Sequence, residues 1–394
     1  MPKLRLTVHA GPHPRRQCPI QARLPHSGKK PPTSILLTAE DGSSLPAQVA
    51  FPPPFARGAV PSDHFYIAFV LPRLDAGKSA TFGAEPRDEP AAAAAVTVAD
   101  DRSGRADIAV NGAPLTTYRY LGNPARPCFF PLIGPGGTHV TRSWPIVDGV
   151  PGETQDHPHH RSLWVAHGDV NGTDNWSEGE GHGFQIHREI IAAGSGVVYG
   201  QLAAATDWTD GNQRKVLEEK RALTAWAMGE DARLFDFDVC FTATECDVRF
   251  GDTKEGGILS LRVAPAMDGD HGGRIENSHG AIGESECWGR RAQWCDYMGE
   301  IEGERLGIAI LDHPRSFRHP TYWHVRDYGM YTANPFGLHD FHGNPSIDGG
   351  HLLQRGASLN FHYRVYLHRG SAAEADIAAR YHDYANPPRV EIAS

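Results

Sequence analysis

Six of the chain's 22 histidines fall within 37 residues, 151–187, in the segment PGETQDHPHHRSLWVAHGDVNGTDNWSEGEGHGFQIH. Imidazole is the side chain that exchanges protons near neutral pH, and it is also the commonest metal ligand. Here the rings are interleaved with Glu153, Asp156, Asp169, Asp174, two tryptophans and several glycines. Such a mixture suits a site built on loops held by a rigid scaffold. A second group, His313, His319, His324, His339, His342 and His351, lies far along the chain. Folding is expected to bring both groups to one pocket.

Within DHPHHRS (156–162), Pro158 should push His157 into an extended conformation. His157 and His159 would then project to one side and His160 to the other. The same-side pair is the candidate for a divalent metal, the cofactor this pattern suggests, and His160 for an acid or base. The competing role for all three is to cap turns. Trp164 and Trp176 offer aromatic faces on which a sugar ring can lie. In FGDTKEGG (250–257), Glu255 precedes two glycines that let backbone or substrate approach closely. It is the best candidate for a general base or a carboxylate ligand. HPTYWHVRDYGMYTANPFG (319–337) places His324 on one face of a short strand with Tyr322 and Arg326. The Arg326 fork can clamp a carboxylate or adjacent hydroxyls. Arg161, Trp164, His167, Arg326, Tyr328 and Asn334 complete the set as substrate-binding candidates.

The elements that must carry these residues are strands. RLFDFDVCF (233–241) and LNFHYRVYLHRG (359–370) alternate apolar with polar residues, a period of two. GILSLRVA and RLGIAIL read as fully buried strands. Short strands between Pro- and Gly-rich turns over residues 1–85 suggest a small β-sandwich domain. Residues 86–96 (PRDEPAAAAAV) read as a linker and 97–370 as a large antiparallel β-sandwich. SAAEADIAARYHDYA, opened by the Ser371–Glu374 capping box, predicts a C-terminal helix, followed by a tail to residue 394. The fold class is therefore all-β. No βαβ alternation, Walker A, G-x-S-x-G or HEXXH pattern is present, so no nucleotide cofactor is expected.

Composition narrows the partners. A formal net charge of −9 and the lack of a basic run argue against nucleic acid. No apolar run approaches the roughly 20 residues of a membrane span, and MPKLRLTVHAG lacks the apolar core of a signal peptide. A cytoplasmic location with no membrane partner is expected, and a homo-oligomer is left open. The six cysteines show no C-x-x-C pair, and reduced structural thiols are expected.

The segments PLIGPGG, DHPHHRSLWVAHGDVNG, FGDTKEGG, WCDYMG and RHPTYWHVRDYGMYTANPFG together resemble a bacterial domain family often labelled "methane oxygenase PmoA-like" and otherwise of unknown function. The resemblance runs over residues 118–369. The label does not suit the sequence, because a methane monooxygenase subunit is a membrane protein. The family looks like a member of the galactose-mutarotase-like β-supersandwich group. That similarity implies a carbohydrate-facing sheet, with His160 or His159 as acid, Glu255 as base, and Arg326 and His324 orienting hydroxyls.

The leading expectation is a soluble carbohydrate-active enzyme. It would cleave a small glycoside or oxidised sugar by His/Glu acid–base chemistry, as hydrolase or lyase, with or without a divalent metal at His157 and His159. An aldose epimerase needs the same acid and base without metal. A non-catalytic carbohydrate-binding sandwich would use the aromatics and dispense with the titratable groups. A cupin dioxygenase is disfavoured, since the chain is too long and G-x-x-x-x-x-H-x-H is not matched.

Overall fold

The computed structural model describes the chain except residues 1–3, 27–29, 53–54, 56–62, 90–91, 123–124 and 394. Two large sheets stack face to face. One runs Arg290–Arg291, Tyr322–Val325, Met330–Ala333, Gly256–Arg262, Leu163–Val170, Cys128–Leu132, Ala113–Arg119, Arg105–Val110 and Val96–Asp100, with three short strands attached to make twelve. The other has eight strands, with Ala232–Thr242 and Ser358–Arg369 at its centre. The pairings are antiparallel, as in Asp236↔Arg364 and Leu261↔Tyr331.

The period-two pattern explains the layers. Phe235, Phe237, Val239 and Phe241 point inward with Phe361, Tyr363, Val365 and Leu367 from the neighbouring strand. They meet Leu163, Val165, Leu259, Leu261 and Tyr331 of the twelve-stranded sheet in one core. Truncating a fully buried ring such as Phe237 to alanine should cost about 3–5 kcal/mol. The alternate residues face outward. Trp164, Ala166, Phe130 and Met330 form a small apolar patch with Trp176 on the outside of the twelve-stranded sheet. That patch is the floor of the candidate site.

The N-terminal residues form a second, smaller sandwich with its own core around Leu6, Ile20, Ile67 and Phe69. Its five-stranded sheet pairs Leu4–His9 with Ser79–Arg87, which ends beyond residue 85. The next strand, Val96–Asp100, opens the large sandwich. The expected C-terminal tail is a strand: Arg389–Ala393 pairs antiparallel with Leu4–His9 and becomes the edge of that sheet. The capping box forms, with the Ser371 hydroxyl donating to Glu374 at 2.8 Å and the Glu374 N–H donating back at 3.3 Å. It stabilises a turn rather than the helix start, since Asp376 is left-handed and the helix is Ile377–Ala385. Among the described residues, no helix is long and apolar enough to cross a membrane, and no disulfide joins the six cysteines.

Candidate active site

The DHPHH segment is a turn, not an extended strand. The His160 N–H donates to the His157 carbonyl at 3.0 Å, with Pro158 in the second position, where its fixed φ belongs. His157 itself is left-handed, with φ of +48°. The expected pairing of His157 with His159 is therefore replaced by another. The His157 and His160 rings stack in parallel at 4.8 Å, and His159 stands edge-on to both at 5.7 and 4.5 Å. Left-handed backbone at a residue bearing a β-carbon costs energy that the surroundings must offset, and such positions cluster at functional sites.

Two buried guanidiniums hold this turn. Arg142 donates to the carbonyls of Trp144, Asp156 and His157 at 3.1, 2.9 and 3.0 Å. Its Nη1 also reaches Asp156 Oδ1 at 2.7 Å. Arg262, at the end of Gly256–Arg262, donates through Nη2 to both Asp156 oxygens at 2.9 and 3.1 Å. The same carboxylate accepts from His157 Nδ1. Burial would raise the Asp156 carboxyl. Its bond to His157 and the charges of Arg262 and Arg142 outweigh that and hold it well below the usual carboxylate range.

The protons follow from these bonds. With Nδ1–H of His157 on Asp156, its Nε2 presents a lone pair, with no protein partner among the described residues, on a side chain 42% exposed. His160 Nδ1 faces Arg262 Nη1 at 3.3 Å. A guanidinium only donates, so the His160 proton sits on Nε2. Burial and then the charge of Arg126 push His159 down to about 4. Burial and the neighbouring cationic groups push His160 well below its ordinary value. Both are neutral at pH 7.

Aromatic rings frame the turn. Tyr328 stacks on His157 at 5.2 Å, with the Arg262 guanidinium over its ring at 4.7 Å and that of Arg326 at 5.9 Å. Burial raises the Tyr328 phenol, which stays protonated at neutral pH. Trp164 lies beneath His160 at 5.3 Å and Trp176 edge-on at 5.6 Å, both fully buried. The tryptophans are thus covered by His160 and serve as its bed, not as open sugar platforms.

The structure divides the remaining sequence candidates in two. Arg161 holds Glu178 through Nε and Nη2, at 2.8 and 2.6 Å. His167 faces the core between Phe250 and Phe336 and donates from Nε2 to the Gly251 carbonyl at 3.0 Å. His324, covered by Trp288 and Phe341, donates from Nδ1 to the Lys254 carbonyl at 2.7 Å. Asn334 donates to the carbonyls of Thr253 and Lys254, both at 3.0 Å. These three therefore grip the FGDTKEGG loop rather than touch the His157 cluster. What the loop presents is Glu255, half exposed beside Lys254 at 3.3 Å and close enough to raise the Tyr328 phenol further. Gly168 permits the loop's approach: a β-carbon there would stand 2.6 Å from the Glu255 carbonyl oxygen.

The second histidine group does not join the site as a whole. His319 bonds Asp312 at 2.9 Å, His339 bonds Asp252 at 2.9 Å, and His313 packs on Tyr384. Asp156, Arg142 and Arg262, which hold the His157 turn, were not among the site candidates drawn from the sequence. The signal was an arginine inside the apolar run GILSLRVA, since a charge in a buried strand must find a partner. For a metal, the donor set does not fit. Among the described residues no group of three His, Cys, Asp or Glu side chains is placed to hold one. The nearest carboxylate, Asp156, is already neutralised by two guanidiniums.

A model of one protein family matches residues 105–382, the span that carries every residue of this cluster. The chain belongs to it. It is described as a family of unknown function (DUF6807), and the methane-oxygenase label is no part of that description. No curated protein matches the chain. Among solved structures, a protein in the glycosyl hydrolase family 38 from Enterococcus faecalis aligns with the whole chain at 9% identity and a TM-score of 0.45. The chain spans 47% of that protein's length.

Proposed function

We propose that this member of the family is a carbohydrate-active lyase that withdraws a proton beside a carbonyl or carboxylate of a sugar derivative. The observation that carries this reading is the Asp156–His157 pair: a carboxylate kept ionised by two arginines fixes the ring so that Nε2 is a bare, solvent-facing base. A general base must be neutral and oriented before the substrate arrives. His157 Nε2 would take the C–H proton. The electron pair left on carbon forms a C=C bond and expels the glycosidic oxygen on the neighbouring carbon, and the Tyr328 phenol supplies that oxygen's proton. The guanidiniums over Tyr328 favour the resulting phenolate and the developing enolate. Glu255 and Lys254, set by the His324–Asn334 grip, suit hydroxyl groups of the sugar. Neutral histidines are poor acids, which favours elimination over hydrolysis.

The test uses a uronate-containing disaccharide and a keto-glycoside, followed by ultraviolet absorbance of the conjugated product and by deuterium uptake from D2O. Elimination gives an absorbing product. Sugar release without it means hydrolysis, and deuterium uptake without cleavage means an epimerase. His157→Gln should lower kcat by about 100-fold or more with little change in Tm. Full activity in that variant would refute the assignment of the base.

A further inference from the structure

On the opposite side of the molecule, the outer face of the eight-stranded sheet floors a cavity of about 670 Å³ roofed by the N-terminal sandwich. The main core and both large sheets lie between it and Asp156. Ligand pockets commonly measure about 300–1,000 Å³ and sit between domains. The roof is fixed: Gln48 Oε1 accepts from the Val198 and Tyr199 N–H groups at 2.8 and 3.0 Å, and Phe51 N–H donates to the Tyr199 hydroxyl at 2.8 Å.

Cross-strand register sets the chemistry of the floor, pairing Asp236 with Arg364 and Asp238 with His362. Asp236 is saturated. It takes both arms of Arg364, at 2.6 and 3.0 Å, and the Trp226 indole N–H at 2.9 Å. Asp238 is not, since among the described residues only one of its oxygens is bonded, to His362 Nδ1 at 2.5 Å. His313 accepts the Arg315 N–H on Nδ1 at 3.0 Å, so its proton sits on Nε2. Burial pushes it down to about 4, and the ring is neutral. Gln201, 94% buried by its 6% exposure, donates to Thr224 at 3.2 Å, while its Oε1 has no partner among the described residues. The walls are aromatic, with Phe51 from the roof and Tyr66 42% exposed.

Unspent acceptors and donors thus stand among aromatic rings, with Asp236 and Arg364 cancelling each other's charge. An anion would meet three carboxylates, Asp236, Asp238 and Asp383, and a cation would meet two arginines, Arg315 and Arg364. Alternating hydroxyls and C–H faces fit both the floor and the walls. We propose that the interdomain cavity is a second saccharide-binding site, for a neutral mono- or disaccharide, which holds the N-terminal sandwich to the large one. It does not depend on the reading of the Asp156 site.

The experiment is saturation-transfer-difference NMR and calorimetry on the full chain with maltose, cellobiose, lactose and sucrose. The wild type, Asp238→Ala, Tyr66→Ala and His157→Ala are compared, with far-UV dichroism as the check on folding. At least one sugar is expected to bind the wild type below about 10 mM. Binding should weaken about tenfold or more, equivalent to about 1.4 kcal/mol, in Asp238→Ala and Tyr66→Ala and stay unchanged in His157→Ala. Tyr66 lies at the rim, so that variant decides the matter if Asp238→Ala fails to fold. No binding by the wild type at about 10 mM overturns the proposal. So does binding that survives Tyr66→Ala, or binding lost only in His157→Ala.

Discussion

Replacing Asp156 with asparagine tests whether this carboxylate is the hub of the site. Asparagine keeps the shape and one oxygen, but it removes the charge and turns the second position into a donor. Arg142 and Arg262, with side chains 0% and 3% exposed, would then face each other without their shared counter-ion. Removing one partner of a fully buried ion pair costs about 3–5 kcal/mol. Asp156 is 37% exposed, and solvent screening reduces that to about 2 kcal/mol. For a chain of this size the melting temperature should fall by about 2–3 °C. The sign of the pH dependence follows from the direction of the shift. A carboxyl whose folded value lies below its unfolded one stabilises the fold above about pH 4, and that contribution is lost as pH falls further through the folded value. The gap between wild type and variant should therefore be constant from neutral pH down to about 5 and close below about 4. Activity should fall by about 100-fold or more, because His157 loses the acceptor that fixes its tautomer. Differential scanning fluorimetry across pH, kinetics, and the imidazole 15N shifts of His157 give the three readouts. Wild-type tautomer and kcat in a variant of lowered Tm would make Asp156 a structural hub only, and the proposed base would be withdrawn.

Three further outcomes follow from the geometry. His167 and His324 are buried and pushed down to about 4 and about 3. Each stabilises the fold above its ordinary value and loses that contribution as pH falls. By pH 4.5 each should cost about 2–3 kcal/mol, read by urea unfolding at pH 7 and 4.5; an equal pH slope in His167→Gln and His324→Gln would refute this. Gly168→Ala drives a β-carbon toward the Glu255 carbonyl and should cost about 1–3 kcal/mol, with a rise in KM as Glu255 is displaced; an unchanged Tm and KM would show the loop to be free of that strand. Metal analysis of untagged protein should find less than stoichiometric divalent metal, and near-stoichiometric metal lost in the His157→Ala/His159→Ala double variant would show that the donor set had been misread.

The layered fold was legible because period-two alternation is local. Phe235, Phe237 and Val239 face inward on the evidence of their own spacing. The strand role of residues 389–393 was not legible, because RVEIA gains its pairing only from Leu4–His9 at the other end of the chain. The turn at DHPHH was misread for a related reason. Pro158 biases His157 toward an extended conformation, but that bias is worth little against what the folded site adds. The carbonyls of Asp156 and His157 are drawn onto Arg142, and the His157 ring is drawn onto Asp156 and Tyr328. Tertiary bonds to an arginine 15 residues upstream are invisible to a rule about neighbours.

Histidine density also pointed to two kinds of work at once. A lone pair can take a proton from substrate only if the ring is oriented and reachable, and among the sequence candidates His157 meets both conditions. His167 and His324 are oriented but not reachable, being 0% and 3% exposed. Each gives its one N–H to a loop carbonyl, at Gly251 and Lys254. A neutral imidazole is well suited to that task, being flat enough to pack between aromatic rings while spending a single donor. The loop that bears those carbonyls also carries Glu255, the residue after Lys254. A histidine that holds the Glu255 loop and the histidine proposed as the base share a residue type and a stretch of sequence. What separates them is burial, and burial depends on Phe250, Phe336, Trp288 and Phe341, none of which lies in the histidine-rich segment. Activity in His324→Gln should therefore fail through KM, as Glu255 drifts, whereas His157→Gln should fail through kcat. A kcat loss in both, with KM unchanged, would place His324 among the groups that touch substrate and would undo this division of labour.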